Sequence, residues 1–266
     1  MSILQAIIYG IVQGLGEFLP ISSTAHLKLI PFFTGWADPG QAFDVALHAG
    51  TLFALLFLFW RDWIRLLKAG LTNAKSNDGK LFWFLMIACI PAGIAGLLFE
   101  NQFETVLSTP LIIAFMLIGM GIVLYIADKI GKTDIELENV GLARSIIIGF
   151  SQAIALFPGV SRSGITMAAG RFLGITRESA AKFTFLMSTP LIFATVVFKF
   201  KDFSSAGLPM ASFITAIAVS AIVGALAIKF LLEYLKKKGF GIFVIYRIAL
   251  GLLVLSTLVL KTLKVM

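Results

Sequence analysis

The chain has 266 residues, 59% of them apolar and 14% charged, with a mean hydropathy of +0.97. A soluble domain cannot hide that much apolar surface, so a polytopic membrane protein is expected. The net charge of +8 is scattered through loops between apolar runs, which excludes nucleic-acid binding, and the lone Cys89 excludes an intrachain disulfide.

The first 20 residues lack a basic start and are interrupted by Gln13 and Glu17, so they are read as part of the mature fold and not as a cleavable leader. Residues 3–35 are apolar but broken midway by Gly, Pro, Ser and ionisable side chains. That pattern predicts a re-entrant helix–loop–helix hairpin, because polar groups at membrane depth are tolerated only where they line a cavity. Full spans are predicted at 41–60, 81–99 and 107–127. A second interrupted stretch at 140–175 predicts a second hairpin, followed by spans at 183–200, 208–232 and 240–260. Each span holds about twenty residues, enough to cover about 30 Å of hydrocarbon.

Charge placement gives the orientation. Fifteen of the 22 Lys and Arg residues fall in segments 61–80, 128–144, 171–182 and 229–238, against five in 1–40, 99–106, 199–209 and 261–266. Under the positive-inside rule the first set is cytoplasmic and both termini are outside. The fold class is therefore an all-α integral membrane protein with an inverted-topology repeat, one half at 1–127 and the other at 140–266. Each half is a hairpin plus three spans. Gly10-x-x-Gln13 recurs as Gly149-x-x-Gln152, and an offset of 140 places Ser23 on Ser163, Phe43 on Phe183 and Asp62 on Asp202. Hairpins entering from opposite faces would bring both polar islands to the midplane.

The first island offers Gln13 and Glu17 at i, i+4, then Ser22, Ser23 and Thr24, with Ser23 and His26 at i, i+3 on a common helical face. The second offers Pro158-Gly159 followed by Ser161-Arg162-Ser163-Gly164 and Thr166. A helix starting there presents free N–H groups to a phosphate, with the Arg162 guanidinium as a fork of fixed charge. A carboxylate, an imidazole and hydroxyls opposite a guanidinium suit a phosphate ester or anhydride. Two further features carry open readings. Asp44 and His48, also i, i+4, border the cavity or cap a helix at the interface. Arg247 sits about 10 Å into the last span and is expected to snorkel to the inner surface.

These islands resemble those of the bacterial undecaprenyl-diphosphate phosphatases, the bacitracin-resistance family. The likeness runs end to end through (Glu/Gln)-x-x-x-Glu continuing into Phe-Leu-Pro-x-Ser-Ser-Thr-x-His, then Phe-Asp-x-x-x-His-x-Gly at 43–50, then Pro-Gly-x-Ser-Arg-Ser-Gly-x-Thr. The resemblance implies an integral membrane hydrolase that converts undecaprenyl diphosphate to undecaprenyl phosphate and inorganic phosphate. It implies a divalent cation, Mg²⁺ or Ca²⁺, a homodimer, and a site open to the outer side of the cytoplasmic membrane. By residue it makes Glu17 a base- or metal-related carboxylate, Ser23 the nucleophile, His26 its acid/base partner and Arg162 the diphosphate clamp. Ser22, Thr24, Ser161, Ser163, Gly164 and Thr166 become supporting phosphate contacts. Gln13 stands where many members carry Glu, so it is expected as a neutral metal ligand or orienter. The rival class is a lipid-carrier flippase or transporter of the same architecture, which needs cations for a head group but no nucleophile beside a base.

Overall fold

The computed structural model describes residues 1–131, 134–199 and 209–265, and among them it is helical with no strand beyond an isolated bridge between Ile135 and Ile175. The first broken pair is α1 (Ile3–Phe18) and α2 (Ser23–Thr34). Three long helices follow: α3 (Gln41–Thr72), α4 (Asn77–Val106) and α5 (Pro110–Ile130). The second pair is α6 (Gly141–Ala153) and α7 (Arg162–Phe172), followed by α8 (Arg177–Phe198), α9 (Met210–Lys237) and α10 (Gly241–Val265). Six of these are long and apolar enough to cross a membrane, and they coincide with the six predicted spans. Phe200 and Leu208, the predicted ends of two spans, and the Asp202 partner of Asp62 lie outside the described residues.

One predicted loop is mostly helix. α3 runs past Trp60 to Thr72 with a kink at Phe59 (φ −108°, ψ 16°), and Asn77 already begins α4. The reason is an amphipathic pattern that the charges obscure. Leu66 and Gly70 are buried while Arg61, Arg65 and Lys68 face outward, and Asp62 is held by Arg65 and by Lys182 of α8 at 3.2 Å each.

The helix contacts fall into matched pairs. α1 packs on α9 as α6 packs on α4, and α3 meets α8 as α5 meets α10, so the first helix of each broken pair rests on the other half. The hairpin turns give the register. Ser22 (φ 76°, ψ 95°) and Ser161 (φ 77°, ψ 115°) share one rare backbone conformation, and both cap the helix that follows. Their hydroxyls lie 3.2 Å from Thr24 Oγ1 and Ser163 Oγ, respectively. In this frame Ser23 corresponds to Arg162, not to Ser163 as the fixed offset of 140 suggested. Positive φ in a non-glycine residue costs on the order of 1–3 kcal/mol, so two such turns have to be held by their surroundings.

Candidate active site

Glu17, on the last turn of α1, is the hub. Its carboxylate is 7% exposed and accepts from Gln13 Nε2 at 3.1 Å and from Ser23 Oγ at 2.9 Å. His48 Nε2 of α3 lies 3.5 Å from Oε2, and Arg162 Nη1 of α7 lies 3.8 Å from Oε1. Arg162 Nη1 is buried and donates no hydrogen bond within the protein. Four elements thus converge on one carboxylate. Ser23 and Arg162 approach it from the two hairpins, Ser23 at one carboxylate oxygen and Arg162 at the other.

Ser23 reaches Glu17 because Gly16 leaves room. A Cβ at Gly16 would sit 2.7 Å from Ser23 Cα and 3.1 Å from its backbone N, neither of which can swing aside. Gly16→Ala should therefore push Ser23 off Glu17 and lower kcat on the order of 100-fold with KM little changed, as steady-state kinetics would measure. Unchanged turnover would show that the turn can shift without disturbing the pair.

His26 is not brought to Ser23. Its Nδ1 donates to the Ser22 carbonyl at 2.7 Å, which leaves Nε2 of the neutral ring to accept from the Tyr246 hydroxyl of α10 at 2.6 Å. The rings stack at 5.6 Å and 8°. The hydrogen bonds of His26 go elsewhere: helix α2 starts at Ser23, whose side chain turns back to α1, while His26 one turn later reaches the cap and α10. The imidazole that does face Glu17 is that of His48, one of the two readings left open by its spacing with Asp44. His26 secures the strained Ser22 turn. His26→Asn should lower thermal stability and turnover together, whereas a pH–rate profile of unchanged shape would confirm that no titrating catalyst was removed.

The expected phosphate cradle is also smaller than the hydroxyls suggested. Ser163 Oγ donates to Leu19 O across the hairpins at 3.0 Å. Thr166 Oγ1 donates to Arg162 O at 2.8 Å and lies 2.9 Å from Thr184 Oγ1. Ser161 and Ser22 hydroxyls accept from the Gly164 and Ala25 amides. These groups and Gly164 build the turns, because first-turn amides and loop carbonyls this deep have no water to satisfy them. Arg162 and Thr24 remain on the wall of a cleft of about 300 Å³, with Lys28, Asp44 and His48. At its mouth Lys28 pairs with Asp38 at 2.9 Å. Burial opposes ionisation of Asp38, but the Gly40 amide and Lys28 outweigh it and hold the carboxyl below its usual value.

Arg247 was expected to snorkel; instead it is 1% exposed. Its guanidinium donates to Pro20 O at 3.0 Å, Gly159 O at 2.6 Å and Val160 O at 3.1 Å, and to Met116 and Leu117 carbonyls of α5. The carbonyls freed by both turns are stronger attractors than a distant interface. α10 thereby ties the two hairpin tips together.

Six helices long and apolar enough to cross a membrane, with a buried carboxylate and hydroxyl and a part-exposed guanidinium beside them, define a multi-pass membrane protein. The family model for bacitracin resistance protein BacA matches residues 6–253, and the chain belongs to that family. Its relatives include proteins named undecaprenyl-diphosphatase. That of Moorella thermoacetica is 51% identical over 256 residues, covering 96% of this chain and 98% of its own length. Those of Pelotomaculum thermopropionicum and Caldicellulosiruptor bescii are 49% and 48% identical, covering 96% and 98% of this chain and 96% and 99% of theirs.

Proposed function

We propose that this chain is an undecaprenyl-diphosphatase that releases inorganic phosphate from undecaprenyl diphosphate, with Ser23 as nucleophile and Glu17 as its base. The observation that carries the reading is the Ser23 hydroxyl donating to buried Glu17 at 2.9 Å, with an unpaired Arg162 N–H on the far side of the same carboxylate. A hydroxyl hydrogen-bonded to a buried carboxylate is the arrangement of an activated nucleophile. Glu17 takes the proton as Ser23 Oγ bonds to the terminal phosphorus, Arg162 holds the oxygens that gain charge, and the bond to the bridging oxygen breaks. The proton held by Glu17 passes to the departing oxygen of undecaprenyl phosphate. Water then attacks the phosphoserine, and Glu17 takes the water's proton and returns it to Ser23 Oγ as that P–O bond breaks and inorganic phosphate leaves. The same carboxylate can instead direct a water while Ser23 only positions it.

A divalent cation, Mg²⁺ or Ca²⁺, belongs to this reading. Among the described residues no three His, Cys, Asp or Glu side chains converge, so substrate oxygens have to complete a coordination shell. Glu17 fits, as does Gln13, whose Oε1 is buried without a hydrogen-bond partner. One protein carboxylate plus diphosphate oxygens is an ordinary Mg²⁺ arrangement. When bound, the ion supplies charge neutralisation at the leaving oxygen.

The reading also places the protein in the bacterial cytoplasmic membrane as a homodimer, with its cleft open to the outer side. The excess of Lys and Arg at the opposite end supports that orientation. The flippase alternative is disfavoured because moving a head group needs no hydroxyl on a buried base. Phosphate release from a prenyl diphosphate by the purified, detergent-solubilised protein, with and without Mg²⁺ or Ca²⁺, tests the proposal. Binding without phosphate release under any divalent cation, Mn²⁺ included, would overturn it.

A further inference from the structure

His48 has no part in the mechanism above, yet it is held with care. Its Nδ1 lies 2.7 Å from the Asp44 carbonyl, which can only accept, so Nδ1 carries a proton and Nε2 is the ring nitrogen turned toward Glu17. That nitrogen stands 3.5 Å from Glu17 Oε2 on the wall of the cleft. The separation is long for a hydrogen bond. It is the distance between two ligands of one ion, which at bond lengths of about 2.0–2.2 Å lie about 3.0–3.5 Å apart. A ring N–H committed to a backbone carbonyl is the usual second contact of a metal-binding histidine. An independent sign comes from Gln13, fully buried, whose Nε2 binds the same Glu17 oxygen while its Oε1 has no partner. An imidazole nitrogen, a carboxylate and an orphaned amide oxygen share one buried spot.

We infer that His48 Nε2, Glu17 and Gln13 Oε1 are the protein's ligands for the divalent cation. The set is of mixed nitrogen and oxygen donors, and it takes Mn²⁺ or Co²⁺ in preference to Ca²⁺. This inference rests on the proposed diphosphatase reading. Imidazole favours such ions over Ca²⁺, whose ligands are almost always oxygen. His48 also supplies a donor that compensates for an amide at position 13 in place of a second carboxylate.

The test uses Mn²⁺ alone, added to the purified full-length protein and followed by pulsed EPR. The expected result is coupling to a directly bound nitrogen in the wild type, lost in His48→Gln, with Mn²⁺ affinity about tenfold or more weaker and Ca²⁺ affinity little changed. Glutamine keeps a polar group at the Nε2 end of the side chain but carries no imidazole nitrogen, so loss of the coupling reads the ligand itself. Mn²⁺ bound without nitrogen coupling, coupling that survives in His48→Gln, or no Mn²⁺ binding would each overturn the assignment. Phosphate release is measured separately. A wild type that hydrolyses substrate but shows no nitrogen coupling loses only the His48 ligand, whereas one that hydrolyses nothing under any cation loses the diphosphatase reading.

Discussion

Ser23→Ala is expected to lower phosphate release by on the order of 10³-fold or more while the protein stays folded. The nucleophilic oxygen is gone, and Arg162 with the bound cation can only stabilise charge that a slower attack by water creates. The structural cost is small. Glu17 keeps the Gln13 amide and loses one charged hydrogen bond, about 1.5–3 kcal/mol. Glu17→Gln should be nearly as damaging to turnover, through loss of the base, worth about 10²–10⁴-fold. The two variants differ in rapid-quench experiments. If Ser23 forms a covalent bond to phosphorus, wild-type protein yields a phosphoserine at position 23, and Ser23→Ala yields none. Residual activity in Ser23→Ala of a tenth or more, with no trapped phosphoserine, would transfer the attack to water.

The Ser23–Glu17 pair also measures what the sequence disclosed. Gly and Pro inside apolar runs mark both broken pairs, because backbone that leaves the helix at membrane depth must be buried in protein or line a cavity. The carboxylate, hydroxyl and guanidinium they carry do meet. The hydrogen bonds of His26 part from the i, i+3 reading for a local reason: the helix begins at Ser23 after a positive-φ turn. The side chain at the first helical position therefore turns toward α1, while the one a turn later serves the cap and Tyr246. His48 was visible as a spacing with Asp44 and within the Phe-Asp-x-x-x-His-x-Gly stretch, but its approach to Glu17 was not, since that depends on α3 meeting α1, a tertiary fact. The hydroxyls of Ser161, Ser163 and Thr166 read as phosphate ligands because sequence names the donor and never the acceptor. Here the partners are backbone groups: Ser163 donates to Leu19 O more than a hundred residues away, Thr166 donates to Arg162 O, and Ser161 accepts from the Gly164 amide. The offset of 140 was off by one at the islands: Gly10 and Gly149 already stand 139 apart, and the matched backbone of Ser22 and Ser161 carries that register on to Ser23 and Arg162.

Arg247 is the largest such omission, and its replacement is expected to be the most destabilising single change in the chain. In a hydrocarbon span an arginine is ordinarily read by its charge. This one acts through its planar fork, which reaches carbonyls of both strained turns at once. The α5 carbonyls of Met116 and Leu117 keep their helical partners when the guanidinium is removed, but Pro20, Gly159 and Val160 lose a donor that no water at that depth replaces. Orphaned carbonyls cost about 1–3 kcal/mol each, less than additively, so Arg247→Met should lose on the order of 3–5 kcal/mol. Arg247→Lys should recover only part, because one ammonium cannot span both tips. With the tips untied, Ser23 and Arg162 lose their common reference, so turnover should fall more steeply than thermal stability in detergent. Both are measurable on the same purified sample. An Arg247→Lys protein that melts like wild type but hydrolyses substrate at under a hundredth of the rate would show that the fork positions the hairpins. Wild-type turnover in Arg247→Lys would show instead that the two tips hold their geometry without it.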